Sequence, residues 1–297
     1  MNKSFTLIEI LVVIVIIGIL SAFIIVSMAG VSSKANIAKG QAFSNSLRNS
    51  LLMNLISEWK LDEGTGTSVA DSWSGNTGTL LDSSGNPCST SYCPQWKTGT
   101  HCVKGSCLLF DGNSDYVNLL NNNGSLNINP PFTLEFWVKP LGGEINQSLW
   151  GGFTDNGNTK NFIRVGSNLN ICLDQWPPSG GNPCWGDALS LNQWNHIAVS
   201  QTSSSLSLYI NGNFASYGTV EVYAGATPDQ WNIGRRWISP SGSNYFNGYV
   251  DEVRIYSAIV PTSRIREQHY SGLNKLLANN EMKKQEYSQK INQLASN

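Results

Sequence analysis

Apolar residues run almost without a break from Leu7 to Val31, and Glu9 is the only charge among them. A run of that length spans a bilayer as a helix. It exceeds the apolar core of about 7 to 15 residues in a secretory signal peptide, although Ser27-Met28-Ala29 offers a small-residue cleavage site. Beyond it Ile37, Ala38, Ala42, Phe43, Leu47, Leu51, Leu55 and Ile56 recur at spacings of three and four, the stripe of an amphipathic helix. The two stretches together predict one helix over residues 5–56, roughly 75 to 80 Å long at 1.5 Å per residue.

After Ser57 the period shortens to two. Phe132, Leu134, Phe136 and Val138 alternate with polar positions, and His196 to Ser200 forms a second apolar run. Leu206, Leu208 and Ile210 lead into Asn211-Gly212, a strong hairpin signal because both turn positions need positive φ. Tyr249 to Tyr256 is the last clear strand, with Asp251 placed by alternation on the face of Val253 and Ile255. The period lengthens again after Pro261. Ile265, Tyr270, Leu273 and Leu276, then Tyr287, Ile291 and Leu294, predict two short helices broken near Ala278-Asn279-Asn280 and docked as a hairpin. The fold class is therefore mainly β: a long N-terminal α-helix, a two-sheet antiparallel sandwich and a short C-terminal helical tail.

Two sets of residues carry family resemblances. Lys3-Ser4-Phe5-Thr6-Leu7-Ile8-Glu9 resembles the processing site of type IV prepilins and pseudopilins, with Ser4 where that family prefers Gly. The resemblance implies a leader over residues 1–4, cleavage by a prepilin peptidase between Ser4 and Phe5, methylation of Phe5, and a transmembrane and filament helix over 5–56. It also gives Glu9 a role: an intramembrane carboxylate is costly, and pairing it with the N-terminal ammonium of a neighbouring subunit leaves neither charge alone. The second set begins at Trp59-Lys60-Leu61-Asp62-Glu63-Gly64 and runs through Leu109-Phe110-Asp111-Gly112, Phe132 to Val138, Trp194 to Val199 and Leu208 to Gly212, ending at Phe246 to Tyr256. In that order the phrases resemble laminin-G-like, concanavalin A-type jelly rolls over about residues 58–261, which implies a sandwich that binds glycans or proteins and frequently holds structural calcium. Residues 262–297 form the tail.

Charge refines this picture. Of 297 residues only 13% are charged, and the net charge is -1. Residues 1–50 and 262–297 are each net basic, so the body between them is acidic, which argues against nucleic-acid partners. Three histidines leave little scope for His-based metal or proton-shuttle chemistry. Glycoside hydrolysis needs two carboxylates flanking one bond, yet Glu135 is alone in its strand, Asp251 and Glu252 are adjacent, and Glu221 stands apart in Val220-Glu221-Val222. The expected answer is no enzyme.

Six cysteines in an exported chain favour disulfides, and none of their spacings is the C-x2-C of structural zinc. Fifteen pairings are possible; the local set, Cys88 with Cys93, Cys102 with Cys107 and Cys172 with Cys184, is expected because each pair falls in loop-like sequence. Calcium enters through the jelly-roll resemblance, which would bring Asp62 to Asp251, while an Arg or backbone partner for Asp251 is an equal alternative. Asp111-x-Asn113-x-Asp115 reads as a tight turn. Trp176 and Trp185 sit in a Pro- and Gly-rich loop between Cys172 and Cys184, and Trp150 and Trp237 also have loop-like neighbours. Their rings either stack on sugars or pack beneath the loops; Trp176, Trp185 and Trp237 are the candidate ligand contacts.

The reading is a pilin-like subunit, held in the membrane by a single N-terminal span before assembly and displayed in a cell-surface filament after it. Its partners are other pilin subunits, the prepilin peptidase, the membrane and a glycan or surface-protein ligand, and its head serves adhesion. The alternative is a minor pseudopilin of a type II secretion or DNA-uptake machine, and a membrane-tethered glycan hydrolase is a third class.

Overall fold

The computed structural model describes residues 7–21, 54–88, 93–120, 126, 128–142, 147–153, 159–166, 168–174, 184–185, 189–219, 230–238 and 242–295. The chain divides into two compact units, Met1–Met53 and Asn54–Asn297. In the first, helix α1 covers residues 7–21, and every described residue of it is exposed. Among the described residues no helix is long and apolar enough to cross a membrane. Residues 22–53, which the sequence assigns to the same helix, and Ser4 and Phe5 lie outside the described residues.

The second unit opens with strands β1 (Leu55–Trp59), β2 (Ser68–Val69), β3 (Gly78–Asp82), β4 (Gln95–Thr98), β5 (Ser106–Asp111) and β6 (Asp115–Leu120). There follow β7 (Phe132–Pro140), β8 (Gln147–Phe153), β9 (Thr159–Val165), β10 (Ile171–Asp174), β11 (Cys184–Trp185) and β12 (Asn195–Gln201). The last are β13 (Ser205–Ile210), β14 (Asn213–Thr219), β15 (Gln230–Ile233), β16 (Arg235–Ile238), β17 (Gly242–Tyr245) and β18 (Asn247–Tyr256). Helices α2 (Thr262–Ala278) and α3 (Lys284–Ala295) complete the unit. One sheet runs β14-β13-β12-β7-β18-β5-β4, with β1 also paired to β18; the other runs β11-β10-β9-β8-β15-β6-β3-β2. Strands β16 and β17 form a separate ribbon.

The sequence expected Leu55 and Ile56 at the end of the long helix, and the structure corrects this. Both lie in β1, where Leu55 pairs with Tyr256 and the strand continues along β18 to Trp59 opposite Val253. Their apolar side chains fit either period; the backbone partner offered by β18 decides, because a strand satisfies its N–H and C=O groups only beside another.

Between the sheets lies a single apolar core that includes Leu134, Phe136 and Val138 of β7, Leu206 and Leu208 of β13, and Trp59, Trp150 and Trp231. The three indoles contact in series, Trp59 to Trp150 at 6.3 Å and Trp150 to Trp231 at 5.5 Å between ring centroids. Trp59 Nε1 donates to Asn76 O at 2.8 Å and Trp231 Nε1 to Leu126 O at 3.1 Å. The hairpin at Asn211 and Gly212 has φ of 53° and 77°, and β13 pairs with β14 across that two-residue loop.

Strands β7 and β12 are buried on both faces, unlike a half-solvated antiparallel strand. The outer face of their sheet is covered by the tail. Leu273 and Leu276 of α2, with Met282, Tyr287 and Ile291 beyond it, pack with Trp137, Trp194 and the Cys102–Cys107 pair in a second core. Asn280, at φ 59°, sits in the break between the two helices. Gly272 lies so close to the Trp137 ring that an added Cβ would overlap it.

A bulge in β18 overturns the expected alternation around Asp251. Asp251 pairs with Trp137 and Arg254 with Glu135, so Glu252 and Val253 together oppose one residue, and Glu252 takes φ 51°. Val250, Val253 and Ile255 reach the inter-sheet core, whereas Asp251 lies on the outer face with Tyr249 and Arg254. The sequence had placed Asp251 with Val253 and Ile255; one inserted residue changes the face.

Candidate functional site

The three disulfides of the structure join Cys88 to Cys93, Cys102 to Cys107 and Cys172 to Cys184. The last crosses the β10–β11 hairpin at the edge of its sheet, where Cys172 pairs with Cys184 and Ile171 with Trp185. Trp176, in the connection that this disulfide closes, lies outside the described residues, and Trp185 is described by its backbone alone. Trp237 is in β16, paired to Ser243 of β17. Trp150, with loop-like neighbours in the sequence, belongs instead to β8 and is buried in the indole series, so it is a packing residue.

Asp62 and Asp251 do converge, on the turn ahead of β5. Asp251 Oδ2 accepts the amides of Val103 and Lys104 at 2.9 and 3.1 Å; Asp62 Oδ1 accepts that of Ser106 at 3.2 Å, and Lys104 Nζ donates to Asp62 Oδ2 at 3.1 Å. Burial, with the nearby Glu252 charge, pushes the Asp251 carboxyl well above its ordinary range. Such a site presents N–H donors and an ammonium where calcium would need acceptor oxygens. Among the described residues no group of three or more His, Cys, Asp or Glu is placed to hold a metal ion. The two carboxylates are held by backbone amides and the Lys104 ammonium, while Asp251 Oδ1 is buried without a hydrogen-bond partner. Asp111 likewise closes a tight turn, its Oδ1 accepting the amides of Asn113 at 2.7 Å and Ser114 at 2.9 Å.

Two further buried carboxylates, Glu135 and Glu252, lie on the same outer face. Burial raises Glu135 to about 7, and neither of its oxygens has a hydrogen-bond partner. Burial also works against ionisation of Glu252, but Arg254 and Lys275 prevail and hold it below its ordinary value. Beside Glu135, His196 and His269 lie 5.8 Å apart, each against the Trp137 ring. Burial lowers both imidazoles, His269 to about 3. This cluster is sealed beneath α2, where it has structural rather than ligand-facing consequences.

One surface escaped the sequence reading. Phe214 and Tyr217 of edge strand β14 are 55% and 58% exposed, on a β-rich unit whose other aromatic residues are mostly buried. The signal was present in Asn213-Phe214-Ala215-Ser216-Tyr217, but strict alternation puts the two rings on opposite faces. The register shift that brings them to one face is a property of the pairing, not of the composition.

The family model described as Concanavalin A-like lectin/glucanases superfamily matches residues 111–266, and that of the Prokaryotic N-terminal methylation motif matches residues 1–25. A search of curated proteins finds no match. Among solved structures, the unit resembles domain 4 of an extracellular arabinanase from Geobacillus stearothermophilus in complex with arabinotriose, at TM-score 0.52 and 21% identity over 72% of this chain and 97% of that one. It also resembles a Trypanosoma rangeli sialidase at TM-score 0.54 and 15% identity, over 72% of this chain but 32% of that one. A botulinum neurotoxin type C structure, whose description makes cell entry dependent on two ganglioside molecules, matches at TM-score 0.55 and 12% identity, over 76% and 53% of the two chains. At these identities the likeness is one of fold.

Proposed function

The chain belongs to the concanavalin A-like lectin/glucanases superfamily and opens on a prokaryotic N-terminal methylation motif, and from these we propose that it is a pilin-like filament subunit whose sandwich binds glycans at the cell surface. The observation that carries the reading is α1. Leu7, Ile8, Ile10 to Ile17, Ile19 and Leu20 are about half exposed or more on all sides of this helix. A helix apolar all round belongs in lipid or among other helices, and the methylation motif favours both in succession.

On this reading a prepilin peptidase cuts between Ser4 and Phe5, Phe5 is methylated, and the Glu9 carboxylate meets the amine of a neighbouring subunit. The head then faces an oxidising exterior, which the three disulfides support. Its ligand is a neutral or weakly polar glycan, met in part by Trp176 and Trp185 on the disulfide-closed hairpin. The arabinotriose complex of a similar fold supports this ligand class. The head acts by binding rather than by hydrolysis: Asp251 is tied to the 103–104 amides, Glu252 to Arg254 and Lys275, and Glu135 is buried beneath α2.

Mass spectrometry of the mature N-terminus tests the reading at its root. The expected mass corresponds to a chain starting at N-methylated Phe5. Cleavage after Ala29 would sink it. Labelling of surface filaments with an antibody to the sandwich then separates a filament subunit from a pseudopilin confined to a secretion or uptake machine.

A further inference from the structure

We propose that Phe214 and Tyr217 form a stacking platform for a neutral glycan on the outer face of edge strand β14. Leu208 pairs with Ser216 and Tyr209 with Phe214, so Ala215 is an extra residue in the ladder. Tyr217 pairs with Ser207 and Phe214 with Tyr209, two positions apart on one strand, so the rings share a face at a separation of about 7 Å.

The platform is held ready before any ligand arrives. Phe214 meets Tyr209 edge to face at 5.7 Å, and Thr262 Oγ1 donates to the Tyr209 hydroxyl at 3.3 Å, so α2 steadies the ring beneath. Little motion is left in Phe214 to lose on binding. Ser207 of β13, half-buried, pairs with Tyr217 and offers a hydroxyl beside the rings.

The surroundings select the occupant. From Ala188 to Val220 the chain has no Asp, Glu, Lys or Arg, so the surface of β12 to β14 has no charge of its own to hold a polyanion. The tail brings Arg266 to the turn, where its Nε donates to the Gly212 carbonyl at 3.3 Å. A partner strand is disfavoured because the bulge at Ala215 interrupts the regular row of backbone groups that strand addition needs. Flat aromatic faces among hydroxyls and amides, without charge, suit a neutral sugar chain. Strand β11 runs close to β14, so the platform lies on the same flank as the Cys172–Cys184 hairpin.

The inference rests on the proposed glycan-binding role of the sandwich, and the test separates the two. The full-length chain in detergent micelles is applied to an array of neutral oligosaccharides with heparin fragments alongside, and the strongest neutral binder is titrated by calorimetry. Phe214→Ala and Tyr217→Ala should each weaken that binding about tenfold, the size of an ordinary interface anchor. Phe214→Tyr should retain it; Tyr217→Ala should leave the thermal midpoint in place, and Phe214→Ala should lower it only by the loss of its contact with Tyr209. If the double alanine variant binds like wild type while Trp176→Ala/Trp185→Ala does not, the platform is refuted and the glycan reading stands. Binding of no neutral oligosaccharide refutes both. Self-association of the wild type that the double variant abolishes would show a protein contact here and overturn the platform.

Discussion

The described residues of α1 and those of α2 meet opposite fates. Leu7 and Ile8 of α1 are 83% and 69% exposed, whereas Ile265, His269, Gly272, Leu273 and Leu276 of α2 are buried against the sheet. Among the described residues the first helix is apolar on every side and exposed; the other is apolar on one stripe and lays that stripe on β7 and β18. The width of the apolar surface, not its strength, separates the two helices.

The sharpest way to break this comparison is Glu9→Ala. The change makes α1 still more apolar, so membrane insertion should persist while filament assembly is lost, because the neighbouring amine has no carboxylate. Filament yield in sheared surface fractions measures it; wild-type yield from the variant would remove Glu9 from assembly. On the α2 side, Leu273→Ala empties a buried position and should cost about 2–5 kcal/mol in denaturant unfolding. A cost near zero would mean that the tail is merely laid on the sheet.

Gly272→Ala sharpens the same point. Alanine favours an isolated helix by about 1 kcal/mol, but its Cβ would overlap Trp137, so overpacking should cost about 1–3 kcal/mol net. Stabilisation by this change would contradict the close approach.

A further prediction concerns pH, and its size grows with the distance below the unfolded value. His269 is buried as the neutral imidazole, with a folded value of about 3 against 6.5 unfolded. Below pH 6.5 the unfolded chain takes up a proton that the folded chain does not, so this group removes stability as pH falls from about 6.5 to about 3. His196 on the sheet and Lys290 on α3 act on it, and Arg254 acts in turn on His196. Glu135, raised to about 7, works in the opposite sense between its unfolded 4.5 and 7. Comparing wild type with His269→Leu cancels such common contributions. The variant should gain on wild type by up to about 1.4 kcal/mol per pH unit below 6.5, and a gap independent of pH would show that His269 is not buried neutral.

Particular residues show where sequence reading succeeds. The Asn211-Gly212 turn, the break near Asn280 and the local cysteine pairs needed only neighbours within a few positions, because φ preference and short loops are local properties. Trp150 and Asp251 needed more. Loop-like neighbours surround Trp150 in the chain, yet β9 and β15 pair on either side of it. Asp251 follows alternation until one extra residue in β18 turns it to the other face.

By itself, the sequence determined the apolar N-terminal run with its Glu9, the two-residue period of the body, the three-and-four period of the tail and the local cysteine pairs. These follow from residue type and spacing, which act over a turn of helix or a pair of strand positions. Only the tertiary structure decided that Leu55 and Ile56 leave the helix for β1, that Asp62 and Asp251 converge on the turn around Lys104, and that Phe214 and Tyr217 share an exposed face. Each of these depends on which distant backbone lies alongside, and a hydrogen-bonded ladder between strands far apart in the chain sets register, face and cover at once.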